Sequence, residues 1–353
     1  PAPDPAAPTE PAPPPPIPGA EPADALIAEG ETRFLHLWKV TSGGENAEAY
    51  WNSAGDRLVL QRRDPAAGVE CDRIFVTDAA TGALVPVSDG RGVTTCAYFL
   101  PDDAAVVYAS TRAAQEDCPP PPDRSQGYVW ELHADYELYR QDLATGEVVP
   151  LTDLPGYDAE ATVSPLGDRI VFTSTRSGEP ELWTSDLQGG DLRQVTDAPG
   201  YDGGAFFSHD GTQLVFRTTH FDPGQEAEQI AEFRALLERG LVRPSAMEIH
   251  VVGVDGSNRR QVTDLGGANW APYFLPDDSG IVFSTNHHVP PRSRNFDLFL
   301  SDLEGGALER VTTYDGFDAF PMFSPDGRYL AFSSNRGGAT EGETNVFVAL
   351  WRE

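Results

Sequence analysis

The stretch FLHLWKVTSGGENAEAY, residues 34–50, decides the fold. Apolar and polar residues alternate from Phe34, as in a half-buried strand, and the run ends at a Val-Thr pair, a glycine turn and an acidic segment. A single strand stands here ahead of everything it could pair with. Its partner has to come from elsewhere in the chain.

The Val-Thr pair recurs. Val40-Thr41, Val87-Ser88, Leu151-Thr152, Val195-Thr196, Val262-Thr263 and Val311-Thr312 share it. A small polar residue follows each pair: Asn46, Thr94, Asp158, Asp202, Asn269 and Asp318. Nine residues further on lies a turn residue, written in NSAGD, LPDDA, SPLGD, SHDGT, LPDDS and SPDGR. Such turns between apolar runs mark hairpins. Each is followed by an apolar strand (RLVLQR, AVVYAS, RIVFTS, QLVFRT, GIVFST, YLAFSS) and then by a third strand. A fourth strand follows only five times, because the last repeat stops at NVFVALWRE. The period is about 44 residues without insertions. Residues 34–41 therefore supply the missing fourth strand. The fold expected is all-β: a six-bladed β-propeller of four-stranded blades over residues 33–353, closed by its N-terminal strand. Closure pairs the backbone groups that a free sheet edge would leave open.

The repeated YDAEATVSPLGD, YDGGAFFSHDGT and FDAFPMFSPDGR resemble the TolB-like propeller repeat, in which an Asp is followed by an aromatic residue and Ser-Pro-Asp-Gly. Blades one, two and five depart from that pattern, with NSAG and LPDD in place of Ser-Pro-Asp-Gly.

Residues 1–32 hold eleven prolines, six acids and no base. Proline fixes φ and removes donors, so this stretch is expected to be an extended arm or tether. The chain carries 55 acids against 25 bases, a formal net charge of -30. That balance argues against nucleic acid and favours cations or basic partners. No apolar run is long enough to span a membrane, so membrane attachment is expected only through a lipid tether at the N-terminus. The arm suggests an exported protein: periplasmic, cell-surface or extracellular.

Residues 63–72, 112–135, 219–246, 286–296 and 335–344 are insertions, all between second and third strands, and so all on one face of a propeller. The longest, in blade four, contains PGQEAEQIAEFRALLERGLVRP, where Ile230, Phe233, Leu236 and Leu237 fall at helical spacing and Gly240 follows as a stop. On the same face, Asn46, Thr94, Asp158, Asp202, Asn269 and Asp318, with Glu48 and Glu160 two residues on, are expected to converge as a polar ring at the channel mouth. Asp158, Glu160, Asp202 and Asp318 would be its metal ligands, and oxygen donors of this kind suit calcium. The alternative is that each Asp hydrogen-bonds its own turn. Cys71, Cys96 and Cys118 map to the same region; Cys96–Cys118 is the first choice for a disulfide and Cys71–Cys118 the second.

There is no Gly-x-Ser-x-Gly, Walker loop or dinucleotide fingerprint, and His287-His288 lacks a third ligand at metal spacing. The reading is a non-enzymatic exported scaffold that binds a protein segment or a cation on its insertion-rich face. The alternatives are a structural subunit whose arm docks on a neighbouring copy, and a calcium-dependent hydrolase.

Overall fold

The computed structural model describes residues 13–352, apart from 121, 124, 126, 291 and 292. Among these residues, six sheets surround one axis. Blade one runs from Glu45–Trp51 through Leu58–Asp64 and Val69–Thr77 to Leu84–Pro86, and blades two to five repeat this order from Thr94, Asp158, Asp202 and Asn269. Blade six takes Asp318–Phe323, Tyr329–Ser334 and Asn345–Trp351 from the end of the chain and Phe34–Lys39 from its beginning. The closing strand pairs Leu37 with Ala349, Trp38 with Val348 and Lys39 with Phe347. The ring is therefore shut by its N-terminal strand, as the repeat count requires.

The second strand of each blade forms the dry centre of its sheet; Ile170–Ser174 and Gly280–Thr285 are buried throughout. The Val/Leu-Thr/Ser pair holds the two outer strands together. Its hydroxyl accepts the N–H of a third-strand residue in all six blades: Val346 to Thr41, Ile74 to Ser88, Leu138 to Thr152, Leu182 to Thr196, Ile249 to Thr263 and Leu298 to Thr312, at 2.8–3.0 Å. In blades three and four the same hydroxyl donates to a buried carboxylate, Glu181 or Glu248, at 2.6 Å. The motif thus recurs because it satisfies a buried donor in every sheet.

The departures from Ser-Pro-Asp-Gly in blades two and five have a structural reason. Asp103 and Asp278 stand where other blades have a left-handed glycine, with φ of 55° and 57°. Their carboxylates reach the turn of the preceding blade. Asp103 accepts from the N–H groups of Ser53 and Ala54 at 2.8 and 3.0 Å, and Asp278 from those of His209 and Asp210 at 2.9 and 3.1 Å. Aspartate tolerates the left-handed region better than most side chains, and here it adds a latch between blades.

Of the proline-rich arm, residues 1–12 lie outside the described residues. Residues 13–32 lie along blades six and one. Ile17 is fully buried, and Glu21–Pro22 pairs antiparallel with the closing strand. The Glu31 carboxylate meets Arg336 in two hydrogen bonds of 2.9 Å, and Arg336 also donates to Asp318 at 2.8 Å, all in the interior. Among the described residues there is one α-helix, α1 (Glu226–Leu237), in the blade-four insertion, and no helix is long and apolar enough to cross a membrane. Of its expected apolar face, Phe233 is buried against Phe221, while Ile230, Leu236 and Leu237 are half-buried.

Candidate binding site at the channel mouth

All six innermost strands break register at the same place, between Ala47 and Tyr50 in blade one and at the equivalent positions of the others. At each bulge one residue is left-handed: Glu48, Cys96, Glu160, Gly204, Ala271 and Phe320, with φ between 47° and 60°. Bulges re-aim side chains. Here they turn one position per blade toward the axis, and these six residues line the central cavity. Its volume is about 20 Å³, room for one water-sized group.

Glu160 is held from four sides. Arg217 forms an ion pair with it, the Tyr201 hydroxyl donates to it, Thr173 donates at 2.7 Å and the Gly204 N–H at 3.1 Å. Arg217 also lies over the Trp130 ring, 4.8 Å from its centroid. A Cβ at Gly204 would come within 2.0 Å of an Arg217 guanidinium nitrogen, so glycine at that bulge makes the room the arginine occupies. Burial pushes the Arg217 guanidinium down, and Glu160, Tyr201, Glu48 and Tyr157 together more than offset this, so that it is raised.

Glu48 faces the same cavity under different conditions. Its hydrogen-bond partner is the Cys96 thiol. Burial is the main cause that raises its carboxyl to about 7, with Glu160 adding to the rise. The Cys96 thiol, in turn, is pushed up by burial and by the two carboxylates. Nearby Asp72 is raised to about 6, first by burial and then by Glu45.

Two residues further along the innermost strands, aromatic rings close the channel. Phe206 packs edge-on against Tyr50 at 5.3 Å and Tyr273 at 5.4 Å, and Tyr50 meets Tyr98 at 5.8 Å. The cavity is thus a blind funnel with an aromatic floor.

The insertions build its rim. Trp130–Glu131, from the blade-two insertion, pairs antiparallel with Leu241–Val242 from the blade-four insertion, which forms a ribbon over the face. A row of aromatic rings runs from this ribbon to the channel. Tyr128 and Trp130 adjoin Trp270 at 6.5 and 5.4 Å; Trp270 stacks on Phe296 at 4.4 Å; Phe296 meets Phe317 at 5.8 Å, and Phe317 meets Phe320 at 6.3 Å. Phe320 is itself one of the six bulge residues.

The polar ring expected from the sequence is distributed differently. Asn46, Thr94, Asp158, Asp202, Asn269 and Asp318 do begin the six innermost strands, and all are buried within the blades. Asp158 pairs with Arg176 at 2.7 Å, Asp202 with Arg259 at 3.0 Å, and Asp318 with Arg336. Arg62 donates to Asn46 at 2.8 Å, Asn269 donates to the Met247 carbonyl at 2.8 Å, and Thr94 shares a hydrogen with Ser110 at 3.3 Å. Of the eight residues, Glu48 and Glu160 face the cavity. Asp158, Glu160, Asp202 and Asp318 do not converge as a calcium site, because each has its own arginine. Among the described residues no group of three or more His, Cys, Asp or Glu side chains is placed to hold a metal ion.

The disulfide joins Cys71 to Cys118, with Cα atoms 5.6 Å apart, and Cys96 is free. The first-choice pairing, Cys96–Cys118, fails because the bulge turns Cys96 into the channel, away from the rim loop that carries Cys118. The sequence reading missed Arg217, Tyr201 and the aromatic row, which meet only once the ring brings separate blades together and leave no local signal in the chain.

The TolB beta propeller domain profile matches residues 242–342. No curated protein matches the sequence. Among solved structures, the chain is similar to a putative TolB from Agrobacterium tumefaciens (18% identity, 88% of this chain and 91% of that one, TM-score 0.55). It is also similar to a gluconolactonase from Xanthomonas campestris (15%, 94% and 97%, TM-score 0.58) and an oligogalacturonate lyase from Vibrio parahaemolyticus (14%, 95% and 97%, TM-score 0.52). Identities this low show a shared fold. The TolB propeller family is thus matched over residues 242–342, and the chain as a whole has the fold of a six-bladed β-propeller.

Proposed function

We propose that this protein is a non-catalytic, exported binding scaffold that receives an extended segment of a partner protein on its insertion-built face, with the channel mouth as the deep end of the site. The observation that carries this reading is the continuous row of aromatic rings from Tyr128 to Phe320 on one face, in which Tyr128, Trp130 and Phe296 come from insertions of two blades and Trp270, Phe317 and Phe320 from innermost strands and their approach. Loops presented by a rigid scaffold are where binding surfaces form, and aromatic residues supply contact area at little entropic cost. The opposite face offers short turns fastened to one another by the Asp103 and Asp278 latches.

A non-catalytic role is supported by the state of the two channel acids. Glu160 is fixed by Arg217, Tyr201, Thr173 and a backbone amide, and the space beside Glu48 takes one water-sized group. Relatives of this fold include enzymes, so the role rests on the site and not on the fold. Export is supported by the Cys71–Cys118 disulfide, since such bonds persist in oxidising compartments. Residues 13–32 are committed to the chain's own ring, which counts against their docking on a neighbouring copy.

The test is partner retention from native extracts by the full chain. Trp130→Ala should cut retention at least about tenfold, as loss of an interface anchor does, while Leu166→Ala on the opposite face leaves it unchanged. Loss with Leu166→Ala and not with Trp130→Ala would reject the face assignment.

A further inference from the structure

We infer that the partner segment delivers a primary ammonium group, a lysine side chain, into the channel, with Glu48 as its counter-ion. This rests on the binding-face reading above and names the chemistry of its deepest contact.

Elsewhere the molecule gives its inward-facing carboxylates fixed partners. Asp158, Asp202, Asp318 and Glu160 each have an arginine. Glu248, which has none, accepts from Thr263, from the N–H groups of Leu265 and Gly266, and from Asn269. Glu48 has neither form of support, and the Cys96 thiol is a weak donor. The charged and titratable groups facing it are Glu160, Asp72, Cys96, Tyr50 and Arg217. Arg217 is already committed to Glu160 and Tyr201 and lies over Trp130. Arg63, the cation nearest Asp72, pairs with Glu45 at 2.9 Å. Two carboxylates, Glu48 and Glu160, therefore line the cavity against one committed arginine, with Asp72 adding negative charge nearby, and the cation that would complete the site has to come from outside.

Size and approach select the cation. The cavity is small, about 20 Å³, and of the two cationic side-chain heads the ammonium is the more compact point charge. The aromatic row leads to the cavity, and ring faces attract a passing cation, as the Trp130 face holds Arg217. A lysine stem lies along such rings while its head reaches the acid.

The experiment is selection of random heptapeptides displayed on phage against the immobilised full-length protein and, in parallel, against Glu48→Gln. The wild type should enrich peptides with a lysine next to aromatic or large apolar residues. Glu48→Gln should reduce the lysine enrichment at least tenfold, with an unfolding midpoint at pH 8 no lower than wild type. Selected peptides without lysine, or lysine enrichment that survives in Glu48→Gln, would overturn the inference while leaving the binding-face reading in place if those peptides compete with one another and are lost in Trp130→Ala. No enrichment on the wild type would count against both.

Discussion

Glu48 and Glu160 occupy equivalent bulges, yet their neighbours give them opposite chemistry. Glu160 sits among an arginine, a tyrosine, a threonine and an amide. Glu48 has a thiol, and its carboxyl rises to about 7. A carboxyl raised in the folded state holds its proton more tightly there than in the unfolded chain. Its contribution is therefore fully present below the unfolded value near 4.5 and is lost as pH rises toward 7. Glu48→Gln removes that loss. The variant should gain up to about 3 kcal/mol over wild type at pH 8 and almost nothing at pH 4, read from urea unfolding at both pH values. The sequence marked Glu48 and Glu160 as neighbours of the repeated polar position. It could not separate them, because Arg217 and Tyr201 reach Glu160 from another blade. Asp158 and Asp202 misled for a related reason: a repeated aspartate at a strand start looks the same whether it faces a channel or a buried arginine.

At the scale of elements, the strands were legible and their irregularities were not. Alternation, turn residues and the Val/Leu-Thr/Ser pair mark every blade, because each blade solves the same hydrogen-bonding problem with the same residues. The six bulges leave no local signature, since glutamate, cysteine, glycine, alanine and phenylalanine all fill them. The ribbon between Trp130–Glu131 and Leu241–Val242 joins segments more than a hundred residues apart and depends on the ring having brought two insertions together. The turns of blades two and five, which depart from the repeat, are latches. Asp278→Gly keeps the left-handed backbone and deletes the carboxylate that holds His209 and Asp210. It should lower stability by about 1–3 kcal/mol with an unchanged denaturant slope, whereas a neutral effect would show that the latch is idle.

For the whole molecule, closure was the most readable feature, because a missing fourth strand at one end and an unpaired strand at the other admit one solution. The strap formed by residues 13–32 was not readable. Proline-rich composition argues against packing, and the contacts that hold the strap come from Arg336 and from the outer strand of blade six. Arg336 stands between Glu31 and Asp318 in the interior, so Arg336→Met leaves two buried acids without their cation. The expected loss is about 3–5 kcal/mol, and amide exchange should rise first in residues 20–40 and in the closing strand. Asp318, raised to about 6 mainly by burial, predicts partial recovery of that variant at acid pH, where the carboxyl is neutral.

A partner seated on the insertion-built face will be caught there by site-specific photo-crosslinking. Benzoylphenylalanine at position 128, on the aromatic row, and at position 166, exposed on the far face, are compared in the native extract. A protein adduct is expected from position 128 and none from position 166; adducts from 166 with none from 128 would put the partner on the opposite face.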